Sequence, residues 1–373
     1  MKKNYNAVKI FNNLLSKKRI LITGGAGFIG SALIRYLLKN TDSLIFNLDK
    51  ISYSSDFTSI NECIKKNNID TSDRYRFLKI NLSNKDETKK AVRVANPDYI
   101  INLAAESHVD RSINEPYEFI ASNIIGTFNL LQSALEHYGN LKKERKKIFR
   151  FHHVSTDEVY GSLNKNGSFS EITKYDPRSP YSASKASSDH FVNAWNHTYG
   201  LPVITTNCSN NFGPWQFPEK LIPLVINKAL NNKKIPIYGD GSNIRDWLFV
   251  DDHITGILLS LLKGEIGRSY CIGANNEKSN KDIVFLICDL MDQIRPKDTS
   301  YKDLITFVDD RPGHDKRYSI DSSLIRNQLN WSPLTNFEEG MKITLKWYID
   351  NQKWSNERYQ KSGYEGQRIG LIN

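Results

Sequence analysis

The stretch TGGAGFIGS, residues 23–31, follows directly on the apolar run RILIT at 19–23. A short apolar strand that breaks into a glycine-dense turn and then opens a helix narrows the fold more than any other feature of these 373 residues. Glycine permits the tight turn and lets backbone N–H groups approach an anion at the helix N-terminus. Gly25, Gly27 and Gly30 satisfy the dinucleotide fingerprint, and Gly24 allows its wider spacing. A second apolar run, LIFNL at 44–48, ends in Asp49, about 20 residues beyond the last of these glycines. A carboxylate there accepts from both ribose hydroxyls and repels a 2′-phosphate, so the pattern predicts NAD over NADP, with Lys50 tempering the preference.

Strand-like runs continue at RFLKI (76–80), YIINL (99–103), IFRFHHV (148–154) and PVITTN (202–207), separated by helical stretches near 84–95, 116–138 and 181–199. Continuous rather than alternating apolar strands predict a parallel sheet covered on both faces. The fold class is α/β, a Rossmann-type doubly wound sheet whose ligands lie beyond the carboxyl ends of the strands. After about residue 210 the chain turns to loops rich in Gly, Pro, Asp and Arg: NNFGPWQFPEKLIP, IPIYGDGSNIRD and DDRPGHDKRY. These predict an NAD-binding domain over 19–210, to which 246–263 returns, and a smaller C-terminal α/β substrate-binding lobe over 211–373. Residues 1–18 have only a broken apolar pattern and read as a short amphipathic helix or arm, an N-terminal extension.

No apolar run approaches the roughly 20 residues of a membrane helix, so no membrane partner is expected and a cytoplasmic protein is the default. The formal net charge is +10, from 51 Lys+Arg against 41 Asp+Glu. Such an excess suits nucleic acid or an anionic small molecule. The lysines are scattered, however, and the one dense run, LKKERKKIFR at 141–150, reads as a solvated loop, so no nucleic-acid partner is expected. Cys63, Cys208, Cys271 and Cys288 lie far apart with no C-x-x-C spacing, which argues against a metal site and a disulfide framework.

Two further segments carry chemistry. FHHVSTDEVYG (151–161) begins as a buried strand and ends in Thr156, Asp157 and Glu158. Acidic residues are common where a strand leaves a core, but this exit lies at the end of the sheet where ligands bind. SPYSASKASSDHF (179–191) puts Tyr181 and Lys185 four apart on one face of a helix starting near Pro180. A lysine beside a phenol stabilises the phenolate and lowers its pKa towards neutrality, making the tyrosine a base for an alcohol proton. Any Tyr and Lys fall four apart by chance; joined to the glycine turn and Thr156, they make a hydroxyl-oxidising site.

These segments resemble the extended short-chain dehydrogenase/reductases and, within them, the dTDP-glucose 4,6-dehydratases. The likeness is carried by GGAGFIGS, NLAAESHVDRSI (102–113), FHHVSTDEVYG, YSASKASSDH (181–190), NCSNNFGPWQFPEKLIP (207–223), PIYGDGSNIRDWLFVDDH (236–253) and DRPGHDKRYSID (310–321). It implies a cytoplasmic homodimer that converts dTDP-glucose to dTDP-4-dehydro-6-deoxyglucose and water, early in dTDP-rhamnose-type deoxysugar synthesis. By the same motifs, Gly24, Gly27, Phe28, Ile29, Gly30, Asp49, Lys50, Ile51, Ser52, Asn81, Leu82, Leu103, Ala104, Ala105, Glu106, Ser107, Ser122 and Asn211 would line NAD, together with Tyr181 and Lys185. Ser107, Thr156, Asn210, Lys220, Leu221, Pro236, Ile237, Tyr238, Arg245, Asn280, Asp310, Arg311, Pro312, Gly313 and His314 would hold the sugar nucleotide. Lys220, Arg245 and Arg311 suit a diphosphate, and Tyr238 a base or sugar. Two departures stand out: Asn81-Leu82 replaces the usual Asp-Ile against adenine, and Ser54-Ser55-Asp56 replaces Ala-Gly-Asn near the ribose.

The implied chemistry explains the acidic pair. Water leaves carbon 6 of glucose only once carbon 4 is a ketone and the carbon 5 proton is acidic. The site therefore needs a hydride acceptor, a base for the 4-hydroxyl (Tyr181), a base at carbon 5 (Glu158) and an acid for the 6-hydroxyl (Asp157). Close like charges help keep one proton on a carboxylate pair. The alternatives are a UDP-glucose 4,6-dehydratase, a nucleotide-sugar 4-epimerase, which needs no Asp-Glu pair, and a non-catalytic NAD-binding regulator, which the intact Thr156, Tyr181 and Lys185 disfavour.

Overall fold

The computed structural model describes residues 10–310 and 313–361. Six strands follow one another through the first half: β1 (Arg19–Thr23), β2 (Leu44–Asp49), β3 (Tyr75–Lys79), β4 (Tyr99–Asn102), β5 (Arg150–Thr156) and β6 (Val203–Cys208). The second half adds β7 (Asn210–Phe212), β8 (Ile235–Tyr238), β9 (Ile244–Phe249), β10 (Ser269–Ile272), β11 (Glu277–Ser279) and β12 (Ile305–Val308). The central sheet has the order β3-β2-β1-β4-β5-β6-β10, and every pairing in it is parallel. The order reverses between β1 and β4, and a crevice opens at that point beyond the strand ends.

The sheet is buried on both faces because its strands are apolar on both. On one face the helix Phe28–Asn40 packs Leu33, Ile34 and Leu37 with Ile20 and Ile22 of β1. On the other, Leu130, Leu131 and Val192 pack with Leu21, Ile100 and Phe151. The helix Pro180–Tyr199 begins sharply: Ser179 caps it, a capping box with Ser182 closes the turn, and Pro180 occupies the first position. That start fixes Tyr181 in the first turn, beside the end of β5.

Part of the N-terminal extension is a helix at 10–15 whose Phe11 and Leu15 are fully buried against the Phe28–Asn40 helix, with Phe11 edge-on to Tyr36. Residues 1–9 lie outside the described residues. The basic run is a short surface helix, Lys143–Ile148, rather than a loop; its Arg145 holds Asp98 at 2.7 Å.

The stretch 246–263, expected to return whole to the first domain, divides. Its helix, Val250–Lys263, buries Ile254, Ile257, Leu258 and Leu261 in the core beside β1. Its strand, β9, instead joins β7 and β11 in a separate three-stranded sheet. The physical reason is Asp246, buried in β9, whose carboxylate accepts from the backbone N–H groups of Ala274 and Asn276 and so ties the strand to the next loop. The seventh place in the main sheet goes to β10, a four-residue strand too short to announce itself. The second lobe has its own core, built from Ile222, Ile226, Trp247, Ile287, Met341 and Tyr348. Among the described residues no helix is long and apolar enough to cross a membrane.

Candidate active site

Beyond the ends of β1, β2, β4 and β5 lies a cleft of about 280 Å³. Its floor is the glycine turn. Gly24 has φ +69°, and a Cβ there would lie 2.7 Å from the Ala104 backbone nitrogen. A Cβ on Gly30 would lie 2.2 Å from the Gly24 carbonyl oxygen. Gly27 starts the helix with no side-chain cap, leaving the first-turn N–H groups to face the cleft. Asp49 closes one side: its carboxylate accepts from the N–H of Ala26, the N–H of Ile51 and the Ser55 hydroxyl at 2.8 to 3.1 Å. On the far wall Asn123, within a π-helical segment (Ile120–Ile125), grips the Glu106 main chain through both N–H and C=O and also donates to Ser184. A backbone cradle at an uncapped helix start, next to a carboxylate at the second strand, fits the pyrophosphate and ribose of NAD.

At the inner end of this cleft β5 stops in a single 3-10 turn, Asp157–Tyr160, capped by the Thr156 hydroxyl accepting from the Glu158 N–H. The turn drives Asp157 inward, to 1% exposure, while Glu158 stays half-buried at the cleft wall. Burial, then Glu158 and Asp246, push the Asp157 carboxyl well above its ordinary range, with Arg245 opposing. One oxygen of Asp157 lies near the Thr156 hydroxyl at 3.3 Å, and the other, Oδ2, is buried with no hydrogen-bond partner. A carboxylic acid that keeps its proton suits that environment.

The Tyr181–Lys185 pair corrects one expectation. Burial first, then Glu158, holds the Tyr181 phenol well above its ordinary value. The Lys185 ammonium donates to the Val154 carbonyl at 2.9 Å and lies 3.4 Å from His153 Nε2. His153, pushed down to about 4 by burial and by Lys185, is neutral beside Asp189, which also accepts from Ser155 and Tyr175. What favours the phenolate directly is the Thr156 hydroxyl, hydrogen-bonded to it.

A second cleft of about 190 Å³ meets the first at Glu158, Asn210, Glu219 and Lys220. It is lined by Leu221, Pro236, Ile237, Tyr238, Arg245, Asn280 and His314 among the expected residues. Arg245 is buried over the Tyr318 ring at 4.1 Å and donates to the Asp315 carbonyl. Lys220 reaches back to the Ser107 carbonyl at 2.7 Å.

All but one of the expected cofactor residues line the first cleft. The exception is Ile51, whose side chain is exposed while its N–H supports Asp49. Asn81 lines the cleft, but its side-chain oxygen already accepts from the Ser83 N–H. Asp310 stays outside both clefts and pairs with His314 at 2.6 Å; Gly313 lies in a shallow surface cavity with Arg178 and Lys316. Arg311 and Pro312 lie outside the described residues. The sequence reading missed Glu219, whose buried carboxylate joins both clefts and takes Tyr53 at 2.8 Å and Arg111 at 3.5 Å. The only signal was its place beside Lys220. It also missed Tyr318 and Trp247, aromatics that pad the second cleft.

Comparison with known proteins points the same way. The family described as GDP-mannose 4,6 dehydratase matches residues 21–344. The dTDP-glucose 4,6-dehydratase of Salmonella typhimurium is 50% identical over 366 residues, covering 94% of this chain and 100% of its own. That of Neisseria meningitidis is 48% identical, covering 95% of this chain and 99% of its own. The Streptomyces venezuelae dTDP-glucose 4,6-dehydratase DesIV, solved with NAD bound, superposes with a TM-score of 0.81 at 38% identity, over 91% of this chain and 99% of its own. The UDP-glucose 4-epimerase of Thermotoga maritima, at 25% identity, gives 0.77 over 89% of this chain and 99% of its own.

Proposed function

The chain belongs to the dTDP-glucose 4,6-dehydratase family, and from that premise we propose that it converts dTDP-glucose to dTDP-4-dehydro-6-deoxyglucose and water, with NAD held in the first cleft and the sugar nucleotide in the second. The observation that carries this reading is the wall the clefts share: Glu158 faces both, with Thr156, Asp157, Tyr181 and Lys185 beside it. An epimerase has no need of the acidic pair.

The chemistry that NAD supplies when bound is temporary oxidation of carbon 4, with return of the same hydride to carbon 6. Tyr181, as the phenolate, takes the 4-hydroxyl proton and becomes the phenol; the Thr156 hydroxyl stabilises the phenolate before that transfer. Glu158 removes the carbon 5 proton. Asp157, protonated because it is buried next to other carboxylates, gives its proton to the leaving 6-hydroxyl. Lys185 holds its place through Val154 and the neutral His153, and Arg245 and Lys220 offset the charge of a diphosphate. We assign 19–210, with the Val250–Lys263 helix and β10, to the cofactor and the remainder from 211 to the sugar nucleotide.

A cytoplasmic homodimer is part of the proposal. Four buried, unpaired cysteines suit a reducing compartment. Tyr117, Ile120 and Ile125, exposed along one helical rod, suit a self-complementary surface.

The test is turnover of dTDP-glucose carrying deuterium at carbon 4, without added reductant. Deuterium is expected at carbon 6 of the 4-keto-6-deoxy product, with UDP-glucose turned over more slowly because its pocket methyl is missing, worth about 1–3 kcal/mol. Deuterium lost to bulk NADH refutes the internal return, and equal turnover of the two sugars refutes the nucleotide assignment.

A further inference from the structure

The departure at Ser54-Ser55-Asp56 has a partner almost 300 residues away. Asp56 Oδ2 accepts from the Trp354 indole N–H at 2.8 Å, and Oδ1 accepts from Arg358 at 2.6 Å. Both donors sit on the helix Gln352–Lys361 of the second lobe. This helix is itself anchored: Asn227 donates to Ser355 and Asn356, and Trp354 packs edge-on against Trp215 and Trp347. All three charged or aromatic groups at the junction are largely buried, Asp56 to 12% and Arg358 to 20% side-chain exposure.

Asp56 is equally well tied to the cofactor side. Its own N–H donates to the Ala26 carbonyl at 2.9 Å, inside the glycine turn. Ala26 in turn donates to Asp49, and Ser55, the residue before Asp56, donates to the same carboxylate. The path from Arg358 to the ribose-facing carboxylate is thus three short hydrogen bonds long. An asparagine at 56 still accepts from Trp354 but gives Arg358 no ion pair.

We propose that Asp56, Trp354 and Arg358 form a latch by which the C-terminal helix holds the cofactor loop shut, making them positioning residues for NAD retention. The inference rests on NAD being the bound cofactor. Because Arg245 lines only the second cleft and Lys220 the wall the two clefts share, loosening the latch releases NAD without weakening the nucleotide site.

The experiment follows NAD leaving the purified holoenzyme, trapped by an enzyme that consumes free NAD, for Arg358→Ala, Arg358→Lys and Trp354→Phe. dTDP affinity by calorimetry is the control. Arg358→Ala is expected to speed release about tenfold, the scale of one charge-assisted hydrogen bond. Arg358→Lys restores most of the retention, Trp354→Phe gives a smaller increase, and dTDP affinity stays within about twofold in all three. Release unchanged in an NAD-bearing Arg358→Ala protein overturns the latch. So does a parallel loss of dTDP affinity, which means general loosening. An unaltered protein that carries no NAD sinks the cofactor reading, and the latch with it.

Discussion

Replacing Asp157 by asparagine removes a proton donor and relieves a buried acid in one step, so activity and stability move in opposite directions. The carboxyl is 1% exposed, its Oδ2 has no partner, and its pKa is raised first by burial and then by Glu158. Below the ordinary carboxyl value of 3.8 both folded and unfolded chains hold the proton, and no cost arises. As pH rises from there towards the raised native value, the unfolded chain has released a proton that the folded one keeps. Stability therefore falls, by about 1.4 kcal/mol per pH unit, until the native value is passed. Asparagine has no such slope. Asp157→Asn should thus gain on the parent protein as pH climbs from about 4 towards the raised native value, read as unfolding midpoints in urea. In the same variant, dehydration should fall about 10²- to 10⁴-fold while oxidation of carbon 4 proceeds, so that NADH absorbance builds and stalls in a single turnover. A variant less stable than its parent at every pH, or one that dehydrates at a near-normal rate, refutes the protonated-acid argument.

Tyr181→Phe should block the first proton removal and leave no NADH absorbance in a single turnover, with dTDP binding intact; any normal burst shows that another base serves the 4-hydroxyl. Gly30→Ala puts a methyl 2.2 Å from the Gly24 carbonyl and should yield protein with little bound NAD, checked by the cofactor content after purification. Full occupancy in that variant means the turn can shift without losing its grip.

The parallel sheet was legible because its strands are apolar without interruption, and the glycine turn and Asp49 located the cofactor end of the crevice. Tyr181 and Lys185 were legible as a pair, but their charge relation was not. Spacing placed the ammonium near the phenol, but it could not show that the Val154 carbonyl and His153, distant in sequence, hold that ammonium. Glu219 was passed over because a buried acid carries no local pattern; its meaning comes from Tyr53 and Arg111, more than a hundred residues before it. The same holds for Asp56, whose partners come at the far end of the chain. β9 misled because an apolar stretch beside a strand-like run does not reveal that Asp246 is buried in it.

That β10 closes the central sheet has a consequence for how the protein comes into being. β6 is complete by residue 208, yet the strand that covers its outer edge does not begin until 269. On the ribosome, the NAD-binding half waits with an open row of backbone donors and acceptors while some sixty further residues, most of them of the other lobe, are made. Neither lobe can be finished alone: the helix Val250–Lys263, needed by the first core, emerges only after β7 and β9 have begun the second. The two clefts are therefore born together, and a chain stopped short of Ile272 exposes a sticky edge rather than a working half.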